Sequence, residues 1–376
     1  MLNNISETLK RFKGVDYRES SILDANFYIS DDIFRLEKEK IFFHSWHMVC
    51  RLEDIANPGD YFCDTYLGEK IFILHGSDGE IRAFGNVCRH RWTPLLEGQG
   101  KIKNNVIMCP YHHWCYNYKG KLIGAPDVKG LEKFSTDING LHEIRIHIWN
   151  KFVFITMSKE TDDFFSYIGD YDELISPYHN NLMCVRRTNY NISANWKGYI
   201  EVDMETYHTP SVHPSSIGVQ YVDILNPSGQ YIGVYHACED TIAIQPENRH
   251  LGFPHIEGLT GTQKKGTHFC VILPSLFIVN TLDSMWWIYK VPISANKTEV
   301  RCGFCFPEET TKRPDFDKIV PHYYKRWDAV IEEDNWIVER QYQGILSEKF
   351  ATLGRYANSE PVVFDFDLWV LEQLSK

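Results

Sequence analysis

The sequence contains no run of about 18 apolar residues, so no stretch of it reads as a membrane-crossing helix. It is also short of positive charge. Lysine and arginine number 39 against 50 acidic residues, for a net charge of −11. An acidic chain of this kind is poorly suited to nucleic acid or an anionic membrane surface, and neither is expected as a partner. The opening residues, MLNNISETLKRF, lack the basic segment and apolar core of a secretion signal. The expected compartment is therefore the cytoplasm. Ten cysteines scattered over 376 residues are too sparse for a disulfide scaffold and are expected to stay free or to bind metal. Internal repeats and low-complexity segments are missing too. What the chain does have is 43% hydrophobic and 14% aromatic residues, enough for one large core or two moderate ones.

The pattern along the chain divides it. SDDIFRLEKEKIFFHSW begins with a capping serine, Ser30, followed by acids, which predicts a helix over 31–43. After Pro58-Gly59 the residues alternate, and Asp78-Gly79 marks a hairpin turn. Short strands continue to IHIWNKFVFITM. The expected organisation is an N-terminal helical segment, 1–44, packing on a catalytic domain, a small β-domain over 45–155 and a mixed domain over 156–376. In the last, NWKGYIEVDMETYH (195–208) reads as a helix stopped by Pro210, several strands follow, and 323–345 reads as a long amphipathic helix. The fold class is α+β.

Residues 88–114, CRHRWTPLLEGQGKIKNNVIMCPYHHW, carry the first chemical signal. Cys88 and His90 form one pair, Cys109 and His112 another, and residues 91–108 separate them. A closed zinc site would accept two thiolates and two imidazoles, but zinc fingers usually group like ligands together. Here each loop supplies one of each. That interleaving suits a [2Fe–2S] cluster with thiolates on one iron and imidazoles on the other.

A cluster alone makes a carrier, and about 110 residues suffice for that. The second constellation is in NWKGYIEVDMETYHTPSVHP, 195–214. On a helix Glu205 and His208 share a face, and the turn after Pro210 can bring His213 back to His208. Two histidines need a carboxylate to complete a facial triad with open positions. On the long helix Trp327, Ile331, Val338 and Ile345 form an apolar stripe, and Asp334 falls within it, whereas Asp328, Glu332, Asn335 and Glu339 fall on another face. A buried aspartate is costly unless paired or metal-bound. Asp334 is therefore the candidate third ligand, the alternative being an aspartate satisfied by hydrogen bonds or an arginine.

Cys-x-His and Cys-x-x-His with "CPYHHW", together with "NWK…E…YH…HP" and "EDNWIVERQYQGIL", resemble the motifs of Rieske non-haem iron oxygenase α subunits, the terminal oxygenase components, over residues 25–350. The resemblance implies a Rieske [2Fe–2S] domain followed by a helix-grip catalytic domain with an antiparallel sheet and a long C-terminal helix. Implied site residues are Cys88, His90, Cys109 and His112 for the cluster and His208, His213 and Asp334 for Fe(II). The disulfide of respiratory Rieske proteins cannot form, since Thr93 and Tyr111 stand at its positions. Trp92 and His113 occupy positions where such oxygenases commonly have glycine. A homotrimer is implied, in which one subunit's cluster feeds its neighbour's iron across a bridging carboxylate, usually Asp and here Glu205. The Glu form recurs in members acting on quaternary ammonium compounds such as choline, carnitine and glycine betaine.

Without a strand-following GxGxxG the chain has no evident flavin or nicotinamide site. NAD(P)H electrons would come through a separate flavin or iron–sulfur reductase, with or without a ferredoxin. The expected reaction is O2-dependent hydroxylation or N-demethylation of a small organic substrate. Aromatic-ring dioxygenation is the alternative chemistry, and a non-catalytic Rieske electron carrier with a ligand-binding domain is the alternative class. Cys302-Gly-Phe-Cys305 sits in an alternating strand, where residues three apart face opposite sides, and reads as structural. Trp286 and Trp287 are candidates for a cation cage or simply for core.

Overall fold

The computed structural model describes residues 2–179 and 182–376. The chain divides into two units: residues 43–161, and residues 1–42 together with 162–376.

In the first unit, seven strands form an antiparallel sheet in the order His47–Arg51, Phe152–Thr156, Glu143–Trp149, Ile81–Gly85, Glu69–His75, Asp60–Tyr66 and Gln99–Lys101. The expected Asp78-Gly79 hairpin joins two of them, with Gly79 at φ 82°, a conformation open to glycine at no steric cost. A smaller sheet of Val106–Met108, Cys115–Asn117 and Leu122–Gly124 carries the second cysteine–histidine loop. Phe72, Phe84, Ile107, Trp114, Tyr116 and Leu122 pack around Cys88 and Cys109 in one core. The unit runs six residues past the expected boundary at 155. Thr156 and Thr161 share a side-chain hydrogen bond of 3.0 Å, and Arg145 donates to the carbonyls of Ser158 and Thr161, so the segment stays with the sheet.

The second unit is built on another seven-stranded antiparallel sheet. Its order is Leu182–Ile192, Lys297–Pro307, Met285–Ser294, Leu276–Asn280, Gly266–Ile272, Tyr231–Ala237 and Asp223–Ile224. The long helix is Phe316–Ile345, seven residues earlier in its start than the pattern predicts. Pro321 lies inside it. A proline there forfeits one backbone hydrogen bond, but Phe316 stacks on Phe253 at 5.4 Å and Val320 is buried, so packing carries the helix past it. Ser30 caps the helix Asp31–Lys40 by accepting from the Ile33 N–H. Leu2–Phe12 packs on the last helix, Pro361–Ser375, with Phe12 and Phe364 stacked at 5.2 Å.

The segment 195–208 departs from its expected form. The helix is Trp196–Asp203, capped by Asn195, and ends before Glu205 and His208 are reached. Pro210 does not stop a helix; it opens one, in the first turn of Thr209–Val212, where its missing N–H costs nothing. The break between them has a local cause. The Glu205 carboxylate accepts the backbone N–H of His208 at 3.0 Å, and the Thr209 hydroxyl donates to the carbonyl of Thr206 at 2.9 Å. Side chains thus replace the helical ladder for one turn.

Candidate metal centres

Cys88 and Cys109 are 1% and 2% exposed, whereas His90 and His112 face solvent, their rings 4.5 Å apart. Thiols inside and imidazoles outside is the asymmetry that a Rieske cluster requires. Backbone geometry holds the loops. The N–H of Trp92 bonds back to the carbonyl of Cys88 at 3.0 Å, and that of His113 to the carbonyl of Cys109 at 3.1 Å. Each closes a tight turn at positive φ, 58° at Trp92 and 55° at His113. That explains why glycine suits these positions, and a side chain there costs on the order of 1–2 kcal/mol. Trp92 is 80% exposed, so its bulk meets no neighbour.

Burial raises the Cys109 thiol, while the backbone N–H groups of Tyr111 and His112 point at its sulfur and act the other way. Partial desolvation by its neighbours, reinforced by the field of His90, lowers His112. Tyr116, which no motif singles out, lies 3.3 Å from the Cys88 sulfur and accepts the Arg89 N–H at 3.0 Å. Its hydroxyl proton is then free to point at the sulfur. Asn86 ties the far side of the first loop, accepting from the N–H groups of Leu95 and Leu96.

In the other unit, His208, His213 and Asp334 bring their donor atoms within 4.8 Å of one another. The two Nε2 atoms are 3.0 Å apart, and Asp334 Oδ1 is 2.9 Å from that of His213 and 3.5 Å from that of His208. Two donors bound at right angles to one ion at about 2.1 Å would be about 3 Å apart. The remaining ring nitrogens are engaged. His208 Nδ1 meets Glu205 at 2.5 Å, and His213 Nδ1 meets Glu333 at 2.7 Å. Each histidine is therefore oriented by its own carboxylate, with Nε2 turned to the shared point. Glu333, which also accepts from the Ser216 hydroxyl, is the residue missed from sequence. Its neighbour Asp334 drew the attention, and the helix brings both to the same pair of histidines. Glu205 reaches His208 across the irregular turn described above rather than along a helix face.

The electrostatics fit a cation. Burial works against charge at His208, yet hydrogen bonds to Asp334 and Glu205 raise it to about 10. Burial likewise works against ionised Asp334, and the two imidazoles still hold it below its ordinary value. A point that retains a proton this strongly is one that favours positive charge, and two imidazoles with one carboxylate are the donors of a non-haem Fe(II) site.

Beside this point opens a cleft lined by Phe269, Phe277, Trp286, Trp327, Ile217 and Arg326, among others. Trp286 and Trp327 are in ring contact at 3.7 Å. Trp287 instead covers Gly303 in the sheet, where a Cβ would lie 2.2 Å from its ring. Cys302 and Cys305 are both buried and not in a disulfide. Of the other acids near the helix Trp196–Asp203, Glu201 accepts from Tyr28 at 2.6 Å and Asp203 pairs with buried Lys290.

Residues 45–135 match the Rieske [2Fe-2S] domain, and residues 180–376 match the ring hydroxylating alpha subunit (catalytic domain). The carnitine monooxygenase oxygenase subunit of Acinetobacter pittii is 34% identical over 338 residues, covering 88% of this chain and 86% of its own. The glycine betaine monooxygenase oxygenase subunit of Chromohalobacter salexigens is 27% identical over 383 residues, covering 91% and 83%. The solved structure of the quaternary ammonium Rieske monooxygenase CntA with γ-butyrobetaine superposes with a TM-score of 0.79 at 25% identity, covering 95% of this chain and 97% of CntA. The chain belongs to the Rieske oxygenase α subunits, which carry a [2Fe–2S] cluster and a mononuclear iron.

Proposed function

We propose that this chain is the terminal oxygenase of a multicomponent system that oxidises a quaternary ammonium substrate. Cys88, His90, Cys109 and His112 hold the cluster, and His208, His213 and Asp334 hold Fe(II). The observation that carries this reading is the convergence of those three donors beside an aromatic-walled cleft. When bound, the iron supplies O2 chemistry and the cluster an electron for it. The chain's own residues do the rest. Glu205 and Glu333 fix the histidine rings, and the apolar walls keep bulk water from the reacting carbon. One oxygen atom enters a C–H bond and the other leaves as water, with two electrons and two protons consumed.

The substrate class is supported by the relatives, named for carnitine and glycine betaine, and by the cleft itself. Aromatic faces at Trp286 and Trp327 attract a desolvated cation, and Glu205 adds negative charge to the same lining. Electrons come from NAD(P)H through a separate flavin or iron–sulfur reductase, with or without a ferredoxin. The working form is a homotrimer in which the exposed cluster histidines serve the iron of a neighbouring copy, with Glu205 as the bridge. Inter-subunit electron transfer is described for CntA. None of the ten cysteines is in a disulfide, which fits a reducing cytoplasm. No helix among the described residues is long and apolar enough to cross a membrane.

The test is reconstitution with a surrogate reductase and a panel of trimethylammonium and aromatic compounds, following NADH, O2 and product together. Coupled oxidation of a trimethylammonium compound is the expected result. Turnover of aromatic compounds alone would overturn the substrate class, and reduction of the cluster without O2 uptake on any compound would favour a carrier.

A further inference from the structure

The cleft lining contains an unusual group. Arg326 is 6% exposed, and its Nη1 is buried with no hydrogen-bond partner among the described residues. The indole N–H of Trp286, 4% exposed and lining the same cleft, also lacks an acceptor among them. The acids nearest the guanidinium are committed elsewhere: Glu333 to His213 and Ser216, Asp334 to the two candidate iron-binding imidazoles. A buried cation without a hydrogen-bonded partner is costly, and truncation data on such groups run to several kcal/mol. Burial lowers Arg326 to about 10, which still leaves it charged at neutral pH.

The position of this charge in the cleft is informative. Arg326 precedes Asp334 by eight residues on one helix, a rise of about 12 Å, and helical side chains lean back toward the N-terminus. The cleft therefore has two polar ends. Asp334 and Glu205 make the iron end negative, Arg326 makes the other positive, and Trp286, Trp327, Phe269 and Phe277 line the space they share. An aromatic ring is negative over its face and positive at its edge, so Trp286 can meet a cation on one and an anion on the other.

We propose that Arg326, helped by the indole N–H of Trp286, is the residue that selects substrates carrying a carboxylate, by binding that group at the end of the cleft remote from the iron. This rests on the quaternary ammonium reading for the other end of the substrate, but it is tested separately. It divides trimethylammonium compounds into two groups. Those with a carboxylate a few bonds from the nitrogen are substrates, and alcohols such as choline are poor ones. A guanidinium suits the task because its planar fork binds a carboxylate through two parallel hydrogen bonds, which a lysine cannot reproduce.

The experiment is a two-by-two binding panel on the holoprotein, read by calorimetry or by quenching of cleft tryptophan fluorescence. γ-Butyrobetaine carries both charges, its methyl ester only the cation, 5,5-dimethylhexanoate only the carboxylate, and 5,5-dimethylhexanol neither. Wild type is expected to bind each acid on the order of 30-fold or more tightly than its ester or alcohol counterpart. In Arg326→Gln the acid–ester difference should collapse, and Arg326→Lys should recover only part of it. Equal binding of acid and ester by wild type overturns the proposal without requiring any variant to fold. So does an Arg326→Gln protein that keeps the acid preference. If instead both acids bind well but the trimethylammonium group adds nothing over tert-butyl, the carboxylate anchor stands and the quaternary ammonium reading fails.

Discussion

The four candidate cluster ligands lie between residues 88 and 112, on two loops of one small β-unit, whereas the three candidate iron ligands are drawn from positions 208, 213 and 334. The first set is held by backbone: turn-closing N–H groups at Trp92 and His113 and N–H groups aimed at the Cys109 sulfur. The second is held by side chains, a carboxylate behind each histidine. Exposure differs in the same sense. His90 and His112 meet solvent, while His213 is 1% exposed and Asp334 8%. A centre that exchanges electrons needs an edge at the surface. A centre that handles O2 needs a dry wall and rigid donors, and it obtains them by recruiting residues from distant parts of the chain.

The strongest way to break this comparison is to remove one ligand from each set. Asp334→Ala should lose the mononuclear iron and more than about 10³-fold of turnover, leaving the cluster's visible spectrum intact. Cys109→Ala should lose acid-labile sulfide while the other unit keeps its single iron. Iron and sulfide content with visible absorption decide the matter. If either variant emptied both sites, the two centres would not be separately built.

The orienting carboxylates sharpen it next. Loss of such a partner typically weakens metal binding 10–100-fold. Glu333→Gln should do so, measured by iron titration, because the acceptor for the His213 Nδ1 proton then loses its negative charge. Glu205→Gln should slow cluster oxidation in a single turnover with O2 and bound substrate by more than its effect on iron retention, since Glu205 is also the proposed bridge between subunits. Equal behaviour of the two variants would reduce Glu205 to an orienting group only.

The same contrast explains what could be read from sequence. The candidate cluster ligands sit in contiguous loops, so spacing alone exposes them. His208 and His213 were visible for the same reason. Asp334 was visible because a charge inside an apolar stripe conflicts with its surroundings, and the structure does bury it. Glu333 was invisible: one position from Asp334 it falls off that stripe, and its purpose depends on where Ser216 and His213 arrive in space. The helix expected over 195–208 failed because periodicity cannot register a glutamate that bonds its own downstream backbone. The long helix began earlier than expected because aromatic packing at Phe316 outweighs a proline signal. The helix Pro361–Ser375 escaped notice because it is apolar nearly all round, with no amphipathic period to find.

The catalytic unit's buried acids predict a pH effect of intermediate size. Burial raises Glu201 from 4.5 to about 7, against a hydrogen bond from Tyr28 and the field of Lys197. A carboxyl whose folded pKa lies above its ordinary value favours the folded state as the neutral acid. That contribution is complete below about pH 4.5 and is lost as pH rises to about 7. The swing is on the order of 3 kcal/mol. Glu201→Gln is neutral throughout, so its Tm should fall less than wild type's between pH 5 and 8. Parallel Tm profiles would mean that Glu201 is already ionised in the folded chain.

The smallest effect is expected at Asp328, six residues before Asp334 on the same helix and on the face that the sequence reads as polar. That position is not idle. Asp328 makes a two-pronged pair with Arg186 at 2.8 and 2.9 Å, the guanidinium lying over the rings of Phe304 and Tyr324. Both side chains are about 30% exposed, at 29% and 30%, so solvent screens the pair. Double-mutant cycles on such pairs return about 0.2–1 kcal/mol. Asp328→Ala should therefore lower stability by up to about 1 kcal/mol while iron content and turnover stay at wild-type values, because the residue lies about a third of a turn around the helix from Asp334. Arg186→Ala should cost more, since it also removes the stacking on two rings. A denaturant titration of the two single variants and the double separates the ionic part from the stacking part. If Asp328→Ala instead reduced iron content as Asp334→Ala does, the helix would be turned the other way and the carboxylate assigned to the iron would be the wrong one.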